Sequence, residues 1–202
     1  MPTVVIPFAG IEGKTRLRAS KDDRRAVSLA MLGDVLEAAA AVGAPRVVTG
    51  DDEGAAVARE LGAEVVQDPG TGQGSAVAAA LADLERGPIL IVNADVPCVL
   101  PADLTALLER IPAAGIALVE ARDGTTNALG LSAPQTFAPL YGPGSAARFG
   151  AHARELGLAV VAADLPNLAD DVDTLEDLER LRSRCGARTR ACLVELPVGA
   201  PQ

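Results

Sequence analysis

Short, mostly apolar runs alternate with longer segments of helical periodicity along the first half of the chain. Residues 3–8 form an apolar run of strand length, and residues 22–42 place apolar side chains at the spacing of a helix face. The alternation repeats twice and ends in the most apolar run, residues 88–92. Uninterrupted apolar runs are typical of strands buried on both faces of a parallel sheet. The pattern therefore predicts an α/β fold with a single doubly wound, mostly parallel sheet.

The predicted elements form one domain over residues 1–183, with short antiparallel additions in its second half. Strands are predicted at residues 3–8, 46–49, 63–66, 88–92, 116–121, 126–132 and 158–161. Helices are predicted at residues 22–42, 53–61, 75–85, 145–156 and 174–181, and another follows Pro101. The tail at residues 184–202 has weak periodicity, so we expect it to be weakly structured or to add an edge strand.

Composition and charge exclude some classes of partner. The 202 residues are enough for one substantial domain, and aromatic residues make up only 2%, so Ala, Val, Leu and Ile must build the core. The net charge of -9 argues against a nucleic-acid surface, which needs a basic face. A nucleotide ligand stays open, because Mg²⁺ can neutralise its phosphates.

The remaining sequence features predict a cytoplasmic protein. Cys98, Cys185 and Cys192 lack paired metal-ligand spacing, and we interpret them as free thiols in a reducing compartment. No secretory signal precedes the first strand, and no apolar run is long enough to cross a membrane.

Four polar clusters follow the predicted strands, where open α/β sheets bind their ligands. They lie at residues 14–18, 68–75, 93–95 and 170–173. In the first, Lys14, Arg16 and Arg18 follow a glycine, which indicates a loop that holds phosphates. The alternative is an ordinary loop whose charges keep it solvated.

Asp95 is the strongest candidate for a metal ligand. It follows the most apolar strand, where a carboxylate is costly unless it is solvated, paired or bound to a metal. A hard oxygen ligand suits Mg²⁺, whereas the alternative is a turn aspartate before Pro97. Asp171 and Asp173 precede a predicted helix, so one of them can cap the helix while the other faces a metal.

Hydroxyl and glycine residues indicate a second, anion-binding region. Gly142 and Ser145 begin a predicted helix whose N-terminus attracts anions, and Arg148 follows within one turn. The alternative is a loop with an N-cap serine. Thr125 and Thr126 add hydroxyls at a strand start. The chain has one histidine, and no Ser-His-Asp set can be assembled.

These clusters, taken in order, resemble a known family. The stretches that carry the resemblance are Asn93-Ala94-Asp95-Val96-Pro97, Thr125-Thr126-Asn127-Ala128-Leu129, Tyr141-Gly142-Pro143-Gly144-Ser145-Ala146-Ala147-Arg148 and Asp171-Val172-Asp173-Thr174-Leu175-Glu176-Asp177-Leu178. Over residues 3–182 the chain resembles the 2-phospho-L-lactate / phosphoenolpyruvate guanylyltransferases of deazaflavin coenzyme F-420 biosynthesis. The resemblance implies a Rossmann-like nucleotidyltransferase fold.

The resemblance also implies an activity and its residues. GMP would pass from GTP to the phosphate of a small phosphorylated carboxylic acid, phosphoenolpyruvate being favoured over 2-phospho-L-lactate, and pyrophosphate would leave. Asp95 and Asp173 would hold Mg²⁺, while Lys14 and Arg16 would stabilise the leaving pyrophosphate. The nucleotide would contact Phe8, Ala9, Lys14, Asp68, Gly74, Ser75 and Asn93. The acceptor would contact Thr125, Thr126, Gly142, Ser145 and Arg148.

Two departures from the family pattern keep alternatives open. The family usually carries a lysine soon after the first strand, where this chain has Ala9 and Gly10, and Gly-Leu-Asn where it has Gly74-Ser75-Ala76. Both bear on nucleotide affinity and base preference. The alternatives are a molybdopterin-type GMP or CMP transferase of the same fold and a catalytically silent nucleotide-binding protein. The oligomeric state is open, with a homodimer as one option.

Overall fold

A seven-stranded sheet forms the centre of the computed structural model, which describes residues 1–10 and 20–195. The strands are β1 (Thr3–Pro7), β2 (Ala44–Thr49), β3 (Glu64–Gln67), β4 (Ile89–Val92), β5 (Gly115–Glu120), β6 (Thr126–Leu131) and β7 (Ala159–Ala162). The helices are α1 (Lys21–Ala40), α2 (Asp52–Glu60), α3 (Gln73–Leu81), α4 (Pro101–Glu109), α5 (Ser145–Glu155), α6 (Pro166–Ala169), α7 (Leu175–Leu181) and α8 (Ala187–Glu195). No helix among the described residues is long and apolar enough to span a membrane.

The strand order β3-β2-β1-β4-β6-β5-β7 confirms the predicted mostly parallel sheet with antiparallel additions. β1 pairs in parallel with β2 and β4, whereas β6 runs antiparallel to β4 and β5. Because β6 is reversed, its first residues lie beside the carboxyl end of β4. The backbone N–H of Asn93 donates to the carbonyl of Asn127 at 2.9 Å. This reversal brings two polar clusters to one edge of the sheet.

β4 is buried on both faces, as its uninterrupted apolar run predicts. Leu90 and Val92 pack into the core on the side of α1 and α4, and Ile89 and Ile91 pack into the core on the side of α3 and α5. Alternate side chains of a strand point to opposite faces, so four residues contribute to two cores. The rigid end of this strand then carries the polar residues that follow it.

The prediction for the tail was wrong over residues 187–195, which form α8 rather than a frayed segment or an edge strand. Asp34 on α1 is only 4% exposed, and its carboxylate accepts from the backbone N–H groups of Arg188 and Thr189, both at 2.9 Å. A carboxylate at this position satisfies donors that a helix start leaves unpaired. Local periodicity missed α8 because its capping residue lies more than 150 positions earlier in the chain.

Candidate active site

Three carboxylates converge where β4 ends. Oxygen atoms of Asp95, Asp171 and Asp173 all lie within 4.8 Å of one another, and all three residues are half-buried. The backbone joins the two segments, because the N–H of Val172 donates to the carbonyl of Asp95 at 2.9 Å. Three converging carboxylate oxygens suit a hard divalent cation.

Neither Asp171 nor Asp173 caps the helix that follows them. The N-cap of α7 is Thr174, whose hydroxyl oxygen accepts from the N–H of Asp177 at 3.1 Å, and the Asp177 carboxylate accepts from the N–H of Thr174 at 3.0 Å. This capping box satisfies the helix start without either of the preceding aspartates. Both carboxylates can therefore serve the same cluster.

The electrostatics of the cluster favour a cation. Burial raises the pKa of the Asp171 carboxyl to about 6, and the Asp95 carboxylate adds to the rise, while a hydrogen bond with the Asn127 side chain opposes it. The neighbouring negative charge therefore disfavours ionisation of Asp171. A divalent cation would reverse that penalty, because it favours the ionised form of each ligand.

An ion cluster around a buried carboxylate holds the segment that carries two of these ligands. The Asp170 side chain is 5% exposed and accepts from Arg180 at 2.8 Å and from Arg184 at 2.7 Å, and it forms an ion pair with Arg122 at 3.0 Å. Burial raises the pKa of Asp170, but the hydrogen bonds from Arg180 and Arg184 outweigh it and hold the pKa below its usual range. Arg180 also donates to Asp177 at 3.0 Å. The network therefore holds Asp170, which precedes residues 171–173, and Asp177, which follows them.

A cavity of about 870 Å³ opens at the carboxyl ends of the four parallel strands β1 to β4. Phe8, Ala9 and Gly10 line it after β1, and the residues after the other strands that line it are Gly50, Asp51, Asp68, Gly70, Gly72, Asn93, Ala94 and Asp95. Gly70 and Gly72 have φ of +75° and +106°, which favour glycine and leave their backbone uncovered. This volume falls in the range of cofactor-sized ligand pockets.

One wall of this cavity comes from α1. The α1 residues that line this wall are Lys21, Arg24, Arg25, Ser28 and Met31. They bring three positive charges to a cavity that aspartates also line. Arg25 forms an ion pair with Glu53 on α2 at 2.7 Å.

A smaller cavity of about 200 Å³ lies on the other side of the carboxylates. The Ser145 hydroxyl donates to that of Thr126 at 3.1 Å, and both residues are buried. Burial raises the pKa of Tyr141, so this wall residue carries a neutral phenol. Among the described residues no lysine or arginine lines the smaller cavity.

The two cavities meet at shared residues. Gln73, Asn93, Asp95 and Asp173 line both of them. The Gln73 amide donates to the Asn93 side-chain oxygen at 2.7 Å, and the Asn93 amide donates to the carbonyl of Thr126 at 3.3 Å. Ligands in the two cavities would therefore face one another across the carboxylate cluster.

Comparison with known proteins agrees with this geometry. The sequence model of a family described as guanylyl transferase CofC like matches residues 2–193. The chain is 38% identical over 205 residues to a phosphoenolpyruvate guanylyltransferase from Conexibacter woesei, an alignment that covers 94% of this chain and 92% of the relative. The chain belongs to the CofC-like guanylyltransferase family.

Two further comparisons extend this result. A 2-phospho-L-lactate guanylyltransferase from Haloferax volcanii is 34% identical over 197 residues, with 96% and 91% of the two chains covered. A solved nucleotidyl transferase from Methanothermobacter superimposes with a TM-score of 0.66 at 21% identity and covers 95% of this chain and 99% of its own. The predicted CofC-like family, nucleotidyltransferase fold and enzyme class are confirmed.

The structure brings together some of the predicted site residues of this CofC-like enzyme. Asp95 and Asp173 converge, and the residues that line the larger cavity as predicted for the nucleotide are Phe8, Ala9, Asp68 and Asn93. Those that line the smaller cavity as predicted for the acceptor are Thr125, Thr126, Gly142 and Ser145. Lys14 and Arg16 lie outside the described residues, and their roles stay predictions.

Other predicted positions need correction. Gly74 and Ser75 do not line the larger cavity. A Cβ on Gly74 would meet the Cβ of Pro139 at 2.7 Å, so this glycine allows close packing. Arg148 does not line the smaller cavity, since its guanidinium donates to the carbonyls of Leu140 and Tyr141 at 2.9 Å. It holds the loop before α5.

The helix start at α5 also differs from the expected anion site. Gly144 rather than Ser145 is the N-cap, with φ of +69°. The N–H of Ser145 already donates to the carbonyl of Gly142 at 3.0 Å, and the N–H of Ala146 donates to Gly124 at 3.4 Å. The buried hydroxyl pair of Thr126 and Ser145 is a polar feature of this cavity.

Sequence reasoning did not assign Asp171, Gln73 or the residues of α1. The Asp-Val-Asp spacing was a usable signal for Asp171, because alternate residues of an extended segment point the same way. Lys21, Arg24 and Ser28 repeat at helical spacing, which places them on one face of α1. Only the fold shows that this face borders the cavity.

Proposed function

We propose that this enzyme transfers GMP from GTP to the phosphate of a small phospho-carboxylate and releases pyrophosphate. The observation that carries the proposal is the position of Asp95 and Asp173, which line both cavities. A nucleotide in the larger cavity and an acceptor in the smaller one would meet at these carboxylates. The relatives named as guanylyltransferases support GTP as the nucleotide.

The carboxylate cluster fits Mg²⁺. Asp95, Asp171 and Asp173 would hold the ion, since their oxygens converge within 4.8 Å and oxygen is its preferred ligand type. When bound, Mg²⁺ supplies neutralisation of the phosphate charges that the two substrates bring together. Among the described residues no lysine or arginine lines the smaller cavity, so a bound Mg²⁺ would supply positive charge to an anionic acceptor there.

The acceptor phosphate can act as nucleophile without a protein base. A phosphate monoester has a second pKa near ~6, so it is a dianion at neutral pH. This agrees with the position of His152, which lies in the last turn of α5 and lines neither cavity. The residues then contribute positioning and charge stabilisation, the two effects that dominate phosphoryl transfer.

The smaller cavity supports a compact acceptor. Its volume of about 200 Å³ suits a small phosphorylated acid. Thr126 and Ser145 offer hydroxyls to a phosphate or carboxylate, and Gly142 also lines this cavity. Phosphoenolpyruvate is the favoured acceptor, because a relative at 38% identity carries that activity in its name, and 2-phospho-L-lactate is the second candidate.

The test is a matrix of pyrophosphate release. Each of GTP, ATP, CTP and UTP is combined with phosphoenolpyruvate, 2-phospho-L-lactate or 3-phosphoglycerate, with Mg²⁺, with Mn²⁺ or with EDTA, and products are identified by mass. We expect release with GTP, fastest with phosphoenolpyruvate, and none with EDTA. Release with another nucleotide alone, or no release with GTP and any of the three acceptors, would overturn the proposal.

A further inference from the structure

We propose that one face of α1 binds the β- and γ-phosphates of the nucleoside triphosphate and stabilises pyrophosphate as it leaves. This α1 polar face consists of Lys21, Arg24 and Ser28, which line the larger cavity. The inference rests on the proposed function for the identity of the nucleotide. It adds binding residues that lie in the described part of the chain, away from the carboxylate cluster.

Unpaired polar groups on this face indicate a ligand-binding role. Ser28 is 3% exposed and lines the cavity, and among the described residues its hydroxyl has no hydrogen-bond partner. Helical serines often donate to the carbonyl four residues earlier, and Ser28 makes no such bond. The Nε of Arg24 is also buried, with no hydrogen-bond partner in the part of the chain that the structure describes. Buried polar groups are rarely left unpaired, because each costs free energy.

The chemistry of these groups favours an anionic ligand. Arg24 and Ser28 lie four residues apart on one helix face, and Lys21 lies one turn before Arg24. A guanidinium and an ammonium have donors and no acceptor, so a ligand that satisfies them must bring oxygen acceptors. Phosphate oxygens are bound well by arginine, often through two parallel hydrogen bonds.

The neighbouring Arg25 has a structural partner on another helix, whereas among the described residues Arg24 has none for its charge. Arg25 pairs with Glu53 on α2 at 2.7 Å, which joins two helices. Within the two stretches that the structure describes, Arg24 and Lys21 form no ion pair. Two cations that line the cavity and form no ion pair with a described residue favour a ligand with several negative charges.

The position of this face defines its part in the reaction. The bond from the acceptor phosphate oxygen to the α-phosphorus forms while the bond from that phosphorus to the β-bridging oxygen breaks. The electron pair of the broken bond stays with pyrophosphate, whose negative charge increases in the transition state. Donors that contact the β- and γ-phosphates therefore bind the transition state more tightly than GTP and raise kcat.

The experiment compares GTP with GMP, because only GTP carries the two phosphates in question. The variants are Arg24→Gln, Arg24→Lys and Ser28→Ala, and the control is Arg59→Gln, an exposed arginine on α2 that does not line the cavity. Calorimetry with each nucleotide gives the affinities, and steady-state kinetics with GTP and phosphoenolpyruvate gives kcat and KM.

We expect Arg24→Gln to weaken GTP binding by roughly tenfold or more, and Ser28→Ala by about threefold, as charge-assisted and neutral hydrogen bonds differ in strength. GMP affinity should change by less than about twofold, since these bonds would be absent with GMP. Arg24→Lys should recover part of the loss, because it keeps the charge. Arg59→Gln should match the wild type in both ligands.

The inference is overturned if Arg24→Gln leaves the ratio of GTP to GMP affinity unchanged. If Arg24→Gln does not fold, as judged by circular dichroism, the ratio of GTP to GMP affinity is measured for Ser28→Ala and Arg24→Lys. An unchanged ratio in both variants then overturns the inference. Titration with inorganic pyrophosphate separates this inference from the proposed function. Failure of the wild type to bind GTP, with pyrophosphate binding that still depends on Arg24, would refute the proposed function and support the phosphate site.

Discussion

Replacing Asp171 with asparagine should stabilise the metal-free protein and remove its response to divalent cations. The pKa of this carboxyl is raised from its ordinary value of 3.8 to about 6, mainly by burial and then by Asp95. Above pH 6 the group is ionised in both the folded and unfolded states, and the fold disfavours that charge. Asp171 therefore lowers the free energy of unfolding at pH 7.5, and Asp171→Asn removes the penalty.

The magnitude follows from the pKa. Each pKa unit corresponds to about 1.4 kcal/mol, so a rise of roughly two units gives ~3 kcal/mol before solvent screening and about 1–3 kcal/mol after it. For a domain of this size, that free energy corresponds to a rise in Tm of roughly 2–10 °C. The difference should shrink as the pH falls from 6 towards 3.8, because folded Asp171 then takes up a proton and loses its penalty.

Thermal unfolding measures both effects. Wild type and Asp171→Asn are melted in EDTA at pH 7.5 and pH 4.5, and again at pH 7.5 over a range of Mg²⁺ concentrations. Asp164→Asn, an exposed aspartate outside both cavities, is the matched control. Equal Tm values for wild type and Asp171→Asn in EDTA at pH 7.5 would refute the electrostatic argument. An equal Mg²⁺-dependent rise in both would refute the role of Asp171 as a ligand.

Three further substitutions test other parts of the site. Asp95→Asn should keep the fold and remove most metal-dependent turnover, and kinetics over a Mg²⁺ titration with near wild-type rates at every concentration would contradict this. Ser145→Ala breaks the hydroxyl pair with Thr126 and should weaken acceptor binding by about threefold to tenfold while GTP binding stays intact, which calorimetry with each ligand can check. Asp170→Asn removes a carboxylate that pairs with Arg122, Arg180 and Arg184, of which Arg180 keeps Asp177, and should lower the free energy of unfolding by about 1–3 kcal/mol in urea denaturation at pH 7. The pKa of Asp170 is lowered in the fold, so its stabilisation is present above pH 3.8 and is lost as the pH falls below it; a loss that persists unchanged into acid would contradict the ion-cluster argument.

Local signals were sufficient for much of the sheet and for part of the metal site. The apolar run at residues 88–92 identified the strand that is buried on both faces, and Asp95 was placed at its end because a carboxylate there needs a compensating partner. Such features depend on neighbours in the chain, which the sequence shows directly.

The sequence by itself determined the alternation of strands and helices and the polar residues that follow each strand, because side-chain periodicity and backbone sterics act over a few residues. Only the tertiary structure decided which of those residues meet. The antiparallel pairing of β6 with β4 places Asn127 beside Asn93, and a capping box at Thr174 leaves Asp171 to join the carboxylate cluster. Asp34 likewise begins a helix from far away in the chain. Contacts of this kind depend on the register and packing of distant elements, and local pattern carries no information about them.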